Sequence, residues 1–321
     1  MYLRCIYALR VSRYYGVGIA IQSISRFCVP FFFMVSGYFC YQYVSVKKGG
    51  ANCNQRLFFN KKVRHIFKIT LNASLFYLLF IITQSYLFNN ITWKVTLEDF
   101  KHFLLFNLPP IIAGQYWFLF ALLYVYLLYS IIERFGLLKY AYRFAGFIFL
   151  LYIIMAQGMH LAGISTPNMY YRNFLVEGFP FFMLGHYIHK NQSILHISNH
   201  TLVLTIIITT LLCLLERYLL GRDFGVNIIT IPQVFCLFLY AVNNPQQLKG
   251  FIQEVGKRYS LYVYILHPFV WHVLILIYGH YHLQNNISAL YSMPILVLSI
   301  SLLLSHFVYM GNNAKLLTQR K

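Results

Sequence analysis

The sequence predicts an all-α fold, a polytopic bundle of transmembrane helices. Of its 321 residues, 59% are hydrophobic and only 10% are charged, whereas a soluble domain carries about a quarter charged residues. Aromatic residues make up 19% of the chain, which suits the rings that collect at membrane–water interfaces. We therefore expect the lipid bilayer to be the main partner of the protein surface.

Nine apolar stretches approach the length of about 20 residues that a helix needs to cross the hydrocarbon core. Between them the chain has no internal repeat, low-complexity tract or soluble segment. We therefore expect a single integral-membrane domain over residues 1–321. The nine predicted spans, in chain order, are 27–46, 66–88, 115–132, 141–157, 174–190, 199–220, 225–243, 259–279 and 290–310.

The first predicted span opens with Arg26 and carries Pro30 in its first turn, where the missing N–H of proline costs least. Ser36 lies about 15 Å beyond Arg26 at 1.5 Å per residue, which places it near the membrane midplane. Two interpretations of Ser36 and Gly37 stay open. The small residues allow close helix packing, or they line a functional cavity.

Later spans contain residues that carry charge or disturb a regular helix. Glu177 lies about one turn inside the fifth span, and the eighth contains the pair His267–Pro268. Pro232 and Pro294 add further breaks. Irregular backbone at membrane depth is tolerated where it lines a cavity, so we expect the bundle to enclose one.

The distribution of Lys and Arg predicts the orientation of the chain. The formal net charge is +19. Seventeen of the cations lie in alternate loops and at the C-terminus, while five lie in the loops between them. Because cytoplasmic loops collect Lys and Arg, the side with seventeen is predicted to be cytoplasmic. The C-terminus is then cytoplasmic, the location is the inner (plasma) membrane, and the charge does not indicate a nucleic-acid partner.

The N-terminal segment disagrees with this orientation. Nine spans place residues 1–26 outside, although they carry Arg4, Arg10, Arg13 and Arg26. Two explanations stay open. Residues 1–24 form a poor extra segment, or the natural protein has another helix upstream and this chain lacks it, which would make ten spans.

Neither cysteine nor histidine spacing predicts a metal site or a disulfide framework. The six Cys residues form no CxxC pair and mostly lie in apolar runs, as small reduced hydrophobes do. The pairs His186/His189 and His280/His282 have metal-like spacing, but no acidic or Cys residues lie near them. We therefore expect no metal.

Five motifs in order resemble the acyltransferase 3 family of integral-membrane O-acyltransferases, which includes polysaccharide O-acetyltransferases. The first is RFxVPxFFxxSGYF, which begins at Arg26, and the resemblance covers about residues 25–275. The others are KKVRHIFKI (61–69), GQYWFLFALLYVYLL (114–128), RNFLVEGFPFFMLGHYI (172–188) and YSLYVYILHPFVW (259–271).

The resemblance implies transfer of an acetyl or other short acyl group from cytoplasmic acyl-CoA to a hydroxyl of a cell-surface glycan or lipid-linked sugar. It also implies ten spans and a catalytic His on the first, about ten residues after an Arg. Here the earliest His is His65, in a predicted cytoplasmic loop. The alternatives are therefore a polysaccharide export protein or an inactive, N-terminally truncated relative.

Two intramembrane ionisable residues are the catalytic candidates, because such groups are costly in a bilayer and are functional by default. Glu177 could pair with Arg26 as a structural ion pair, or the two could line the acceptor site. His267 could act as a general base. It could instead be a structural His bonded to a carbonyl that Pro268 frees.

Lys61 and Arg64 are the predicted acyl-donor-binding residues. The resemblance implies a basic pair three residues apart at this place, which would bind the phosphates of acetyl-CoA or another acyl-CoA. The alternative for this cluster is the positive-inside signal with anionic lipid contact. The predicted cavity or acceptor-binding residues are Arg26, Ser36, Tyr38 and Trp117, although Trp117 could simply belong to an aromatic belt.

Overall fold

The computed structural model describes most of the chain, and the predicted all-α bundle is confirmed in it. The described residues form helices joined by turns and contain no strand. Residues 1–19, on which both explanations of the basic N-terminus depend, lie outside the described part. The described ranges are 20–45, 52–88, 96–109, 116–192, 194–195, 197–222, 224–245, 250–283 and 286–318.

Ten longer helices make up most of the described chain, and we number them in chain order. They are α1 (Cys28–Ser45), α2 (Asn52–Phe88), α3 (Leu97–Phe106), α4 (Trp117–Arg134), α5 (Leu138–Ile153), α6 (Phe179–Lys190), α7 (Asn199–Leu220), α8 (Thr230–Asn243), α9 (Ser260–His280) and α10 (Ile287–Thr318).

Seven helical segments of the described chain are long and apolar enough to cross a membrane, by length and composition. Two of the nine predicted spans differ from this pattern. The span predicted at 225–243 is a shorter helix, α8, of 14 residues. The span predicted at 174–190 is a five-residue π-helical turn followed by the 12 residues of α6. The seven segments are Ala20–Tyr41, Lys61–Tyr86, Trp117–Arg134, Leu138–Leu161, Asn199–Leu220, Val255–His280 and Ser288–Gly311.

The basic segment before the second span is helical, which the sequence analysis did not predict. The 37-residue helix α2 runs from Asn52 to Phe88, so Lys61, Arg64 and His65 lie on a helix and not in a loop. Its sequence contains no Gly or Pro, and Lys and Arg are good helix formers. The helix therefore continues from the apolar stretch into the basic one.

The chain forms two compact units, residues 1–244 and 245–321. In the first, α1 packs most extensively on α6, α7 on α8, and α5 on α6. In the second, α9 packs on α10 around a core of Val270, Leu274, Tyr278 and Met293. The single domain expected over 1–321 stays a prediction.

Two glycines explain the close contact between α1 and α6. A Cβ atom added at Gly37 would overlap the carbonyl oxygen of Phe182, and one added at Gly185 would overlap that of Met34. The two backbones therefore touch, as small residues allow in membrane helices. Gly37 therefore allows the close packing of α1 on α6. Ser36, next to it in the chain, is half-buried.

A polar network fixes the loop that precedes α8. The side chain of Glu216, on α7, accepts hydrogen bonds from the backbone N–H groups of Ile228 at 2.9 Å and Ile229 at 3.1 Å. It also accepts one from Gln157 Nε2 at 2.7 Å. A carboxylate at these N–H groups stabilises the start of a helix. The network holds Ile228 and Ile229, at the end of this loop, against α7. Gly225, earlier in the loop, takes a positive φ of 87°.

Candidate functional site

A cavity of about 70 Å³ lies in the first unit, near the beginning of α1. Its walls include side chains from four separate parts of the chain. The residues on which the argument depends are Arg26, Trp117, Arg172, Glu177 and Gly225. Three of the predicted site residues, Arg26, Trp117 and Glu177, are therefore brought together.

Glu177 is placed in the cavity by a π-helical turn, Phe174–Gly178. Such turns insert an extra residue into a helix and occur often at functional sites. Asn173 begins the turn. Its Oδ1 accepts hydrogen bonds from the N–H groups of Leu175 and Val176, at 3.0 and 2.9 Å, as an N-cap residue does. The turn fixes where the carboxylate of Glu177 points.

The carboxylate of Glu177 is buried but incompletely bonded. The residue is 3% exposed, and its Oε2 has no hydrogen-bond partner among the described residues. Arg172 and Arg26 both interact with it electrostatically. A buried polar atom without a partner is costly, so Oε2 is available to a group that enters the cavity, such as a hydroxyl.

Arg172 was counted among the loop cations but was not predicted as a site residue. Its guanidinium carbon lies 4.9 Å from the ring centroid of Trp117, a cation–π geometry. Arg172 lies beside Gly225, where an added Cβ would be in ordinary contact with its Cδ, at 3.9 Å. Its position directly before the N-cap Asn173 is the one sequence signal that could have indicated its place.

Asn107 was also missed by the sequence analysis. It is fully buried and takes a positive φ of 51° after α3, a conformation that Asn adopts more readily than most residues. Its Nδ2 donates to the carbonyl oxygen of Trp117 at 3.1 Å. Its Oδ1 accepts from the N–H of Phe174 at 2.7 Å. One side chain thus joins the start of α4 to the turn that holds Glu177.

Replacing Asn107 by alanine should lower the thermal stability of the purified protein. The change removes both hydrogen bonds and takes away the partner of the Phe174 N–H, at about 1–3 kcal/mol, and it puts an alanine at positive φ. We expect a loss of about 2 kcal/mol or more, measured by thermal unfolding in detergent. The control is Asn191→Ala, which removes an exposed hydrogen bond at the end of α6. Equal melting of the two variants would contradict the role of Asn107.

Ser36 and Tyr38, predicted to line the cavity, lie outside the walls of this one. Tyr38 OH donates to Gln192 Oε1 at 2.9 Å, and its ring centroid lies 4.2 Å from that of His189. Both residues lie on α1, ten or more positions beyond Arg26, which is in the 3₁₀ turn directly before that helix. At 1.5 Å per residue, that separation is about 15 Å or more, which exceeds the reach of a small cavity.

The predicted acyl-donor residues Lys61 and Arg64 are exposed on α2. Between them, Lys62 points into the bundle, with its Nζ 5.7 Å from the ring centroid of Tyr126 and 5.9 Å from that of Phe39. The basic cluster therefore has two cations on the outside of the helix and one against the aromatic core. No observation assigns a ligand to it, so the donor role stays a prediction.

His267 belongs to the second unit, on α9. Its Nδ1 lies 3.0 Å from the carbonyl oxygen of Val263, and Pro268 follows it inside the helix. The carbonyl that Pro268 frees is that of Tyr264, four residues before it. The contact with Val263 therefore does not decide between the two interpretations of His267. It uses one ring nitrogen and leaves Nε2, so the catalytic role of His267 stays a prediction.

His186 is held by tyrosines. Tyr129 OH lies 3.0 Å from its Nε2, and Tyr142 OH lies 2.7 Å from its Nδ1. With both ring nitrogens occupied, this His is a member of a buried polar network. Across the part of the chain that the structure describes, no group of three or more His, Cys, Asp or Glu residues could hold a metal ion.

Comparison with known proteins identifies one family. The sequence model of a family described as an acyltransferase domain matches residues 6–306, nearly the whole chain. No curated protein and no solved structure matches the chain.

Proposed function

Because this chain belongs to the acyltransferase domain family, we propose that it is a membrane O-acyltransferase that acylates a glycan hydroxyl. An acetyl or other short acyl group would move from cytoplasmic acyl-CoA to a hydroxyl of a cell-surface glycan or lipid-linked sugar. The observation that carries the acceptor site is the unpartnered, buried Oε2 of Glu177 in a cavity that two arginines also line.

In the proposed reaction, the acceptor hydroxyl enters the cavity and donates a hydrogen bond to Glu177. Glu177 takes the proton as the hydroxyl oxygen forms a bond to the thioester carbonyl. A guanidinium, from Arg26 or Arg172, stabilises the negative charge that develops on the carbonyl oxygen. The C–S bond then breaks and coenzyme A leaves as its thiolate, which takes the proton from Glu177 and restores the carboxylate, while the acyl ester remains on the acceptor.

The proposed donor and acceptor sites lie at opposite ends of α1. Arg26 precedes the helix, whereas Phe39, near its other end, faces Lys62. The 13 residues between them span about 20 Å at 1.5 Å per residue. The acyl group would therefore have to reach inward on the long pantetheine arm of coenzyme A while its phosphates stay near Lys61 and Arg64. His267, in the second unit, is the alternative general base.

The activity is tested by incubating the purified full chain with labelled acetyl-CoA and a hydroxyl acceptor. We expect release of coenzyme A and transfer of label to the acceptor. No release of coenzyme A with any glycan or lipid-linked sugar tried would overturn the proposal and would favour a role in export or an inactive relative.

Replacing Arg64 by alanine should raise the KM for acetyl-CoA with little change in kcat. A hydrogen bond to a charged group contributes roughly 1.5–3 kcal/mol, which corresponds to about 10- to 100-fold in KM. The matched control is Arg134→Ala, which removes an exposed cation at the end of α4 on the same predicted side. If the two variants have the same KM, Arg64 has no specific role in donor binding.

A further inference from the structure

We propose that the molecule bound in the Glu177 cavity carries an anionic group, a phosphate or a carboxylate, that binds the guanidiniums of Arg172 and Arg26. The inference rests on the proposed function for the identity of the acceptor. The anion site itself makes predictions that binding measurements test without acyl transfer.

The first argument is the balance of charge. The cavity walls contain two guanidiniums, of Arg26 and Arg172, and one carboxylate, of Glu177. Arg26 also interacts electrostatically with Arg217. With two guanidiniums against one carboxylate, the cavity walls carry an excess of positive charge, and an anionic ligand would offset the repulsion among the arginines.

The second argument is the geometry of Arg172. Its guanidinium is held against Trp117, with the guanidinium carbon 4.9 Å from the ring centroid. A planar guanidinium in a fixed position can bind two oxygens of a phosphate or carboxylate at once. Such a site is ordered before the ligand arrives, and this lowers the entropy cost of binding.

The third argument is the unpartnered carboxylate oxygen that lies in the same cavity as the two arginines. Glu177 Oε2 has no hydrogen-bond donor within the described part of the chain, and the guanidiniums of Arg26 and Arg172 share its cavity. A ligand with a hydroxyl beside an anionic group suits both features, because the hydroxyl donates to Oε2 and the anion accepts from the guanidiniums. A neutral sugar supplies the first function well but offers no charge to the arginines.

The size of the cavity limits what enters it. At roughly 10–15 Å³ for each water position, about 70 Å³ holds about five waters. This space accommodates a phosphate or carboxylate with an adjacent hydroxyl, which would enter as part of a larger acceptor.

The test is a binding assay with the purified full chain in neutral detergent. The probes are methyl β-glucoside, methyl β-glucuronide and glucose 1-phosphate, which offer no charge, a carboxylate and a phosphate. Phosphatidylglycerol in the same detergent is the lipid arm. We expect the two anionic sugars to bind at least tenfold more tightly than the neutral one, and this advantage should shrink as salt concentration rises.

Variants of two arginines locate the site. Arg172→Gln should abolish the advantage of the anionic sugars, while Arg172→Lys should retain part of it because the charge remains. The matched control is Arg222→Gln. Arg222 donates from its Nη2 to the carbonyl oxygen of Thr166 at 3.1 Å and is absent from the cavity walls. If Arg172→Gln does not fold, the loss of affinity in Arg172→Lys decides the question.

Three outcomes would overturn the inference: equal binding of neutral and anionic sugars, the same loss in Arg222→Gln as in the Arg172 variants, or Arg172-dependent binding of phosphatidylglycerol alone. The last would identify a lipid site. Anion binding without any acyl transfer would leave the inference standing and remove the proposed function. Acyl transfer without a preference for anionic acceptors would leave the proposed function standing and remove the inference.

Discussion

Replacing Gly185 by alanine is expected to destabilise the protein by about 3 kcal/mol or more. The new Cβ would overlap the carbonyl oxygen of Met34 on α1. Backbone atoms cannot move aside as a flexible side chain can, so α1 and α6 would have to separate. Overpacking of this kind typically costs 1–3 kcal/mol and occasionally more. The measurement is thermal unfolding of the purified variant in detergent, together with the fraction of monodisperse protein.

A second glycine provides the matched control. Gly146 lies inside α5, and a Cβ added there would meet nothing within 4 Å. Because alanine is the better helix former by about 1 kcal/mol, Gly146→Ala should melt at the parent temperature or above it. If Gly185→Ala melted as the parent does, the close contact of α1 and α6 would be wrong.

Replacing Glu177 by glutamine is expected to lower kcat for acyl transfer by at least about 100-fold. General acid–base catalysis contributes roughly 10²- to 10⁴-fold, and an amide has nearly the same shape but cannot take the proton. The KM for acyl-CoA should change little. The predicted donor residues, Lys61 and Arg64, are on α2. Their neighbour Lys62 faces the end of α1 that is far from Glu177. Steady-state kinetics with labelled acetyl-CoA measure both quantities.

Two comparisons make the Glu177 result specific. Glu98→Gln removes an exposed carboxylate in the first turn of α3 and should leave kcat unchanged. His267→Ala tests the alternative base. If Glu177→Gln is fully active and His267→Ala is folded but inactive, the general base is His267 and not Glu177.

The helical bundle could be predicted from the sequence because its signals are strong and local. Long apolar runs with few charges leave a helix as the simplest structure whose backbone is satisfied in lipid. Close packing at Gly37 was one of two interpretations that the sequence left open, and the structure shows the close contact. The extent of α2 was not predicted, because a change from apolar to basic composition does not break a helix that lacks Gly and Pro.

The candidate site could be predicted only in part. Arg26 and Glu177 stood out as charged residues in apolar surroundings, and the structure brings both to one cavity with Trp117. Asn107 and Arg172 lie in segments that connect helices, where an Asn or Arg is ordinary. Their contacts join residues as far apart as Asn107 and Phe174, and such distant pairing leaves no periodic pattern in a single sequence.

The π-helical turn at Phe174–Gly178 has a consequence for how this protein is compared with its relatives. Such a turn amounts to one inserted residue in an otherwise regular helix. Removing one residue would restore α-helical winding and rotate the preceding segment by about 100°, carrying Glu177 to a different face. An alignment to a homologue without this insertion needs a one-residue gap here, and without that gap Glu177 would be matched to the wrong column.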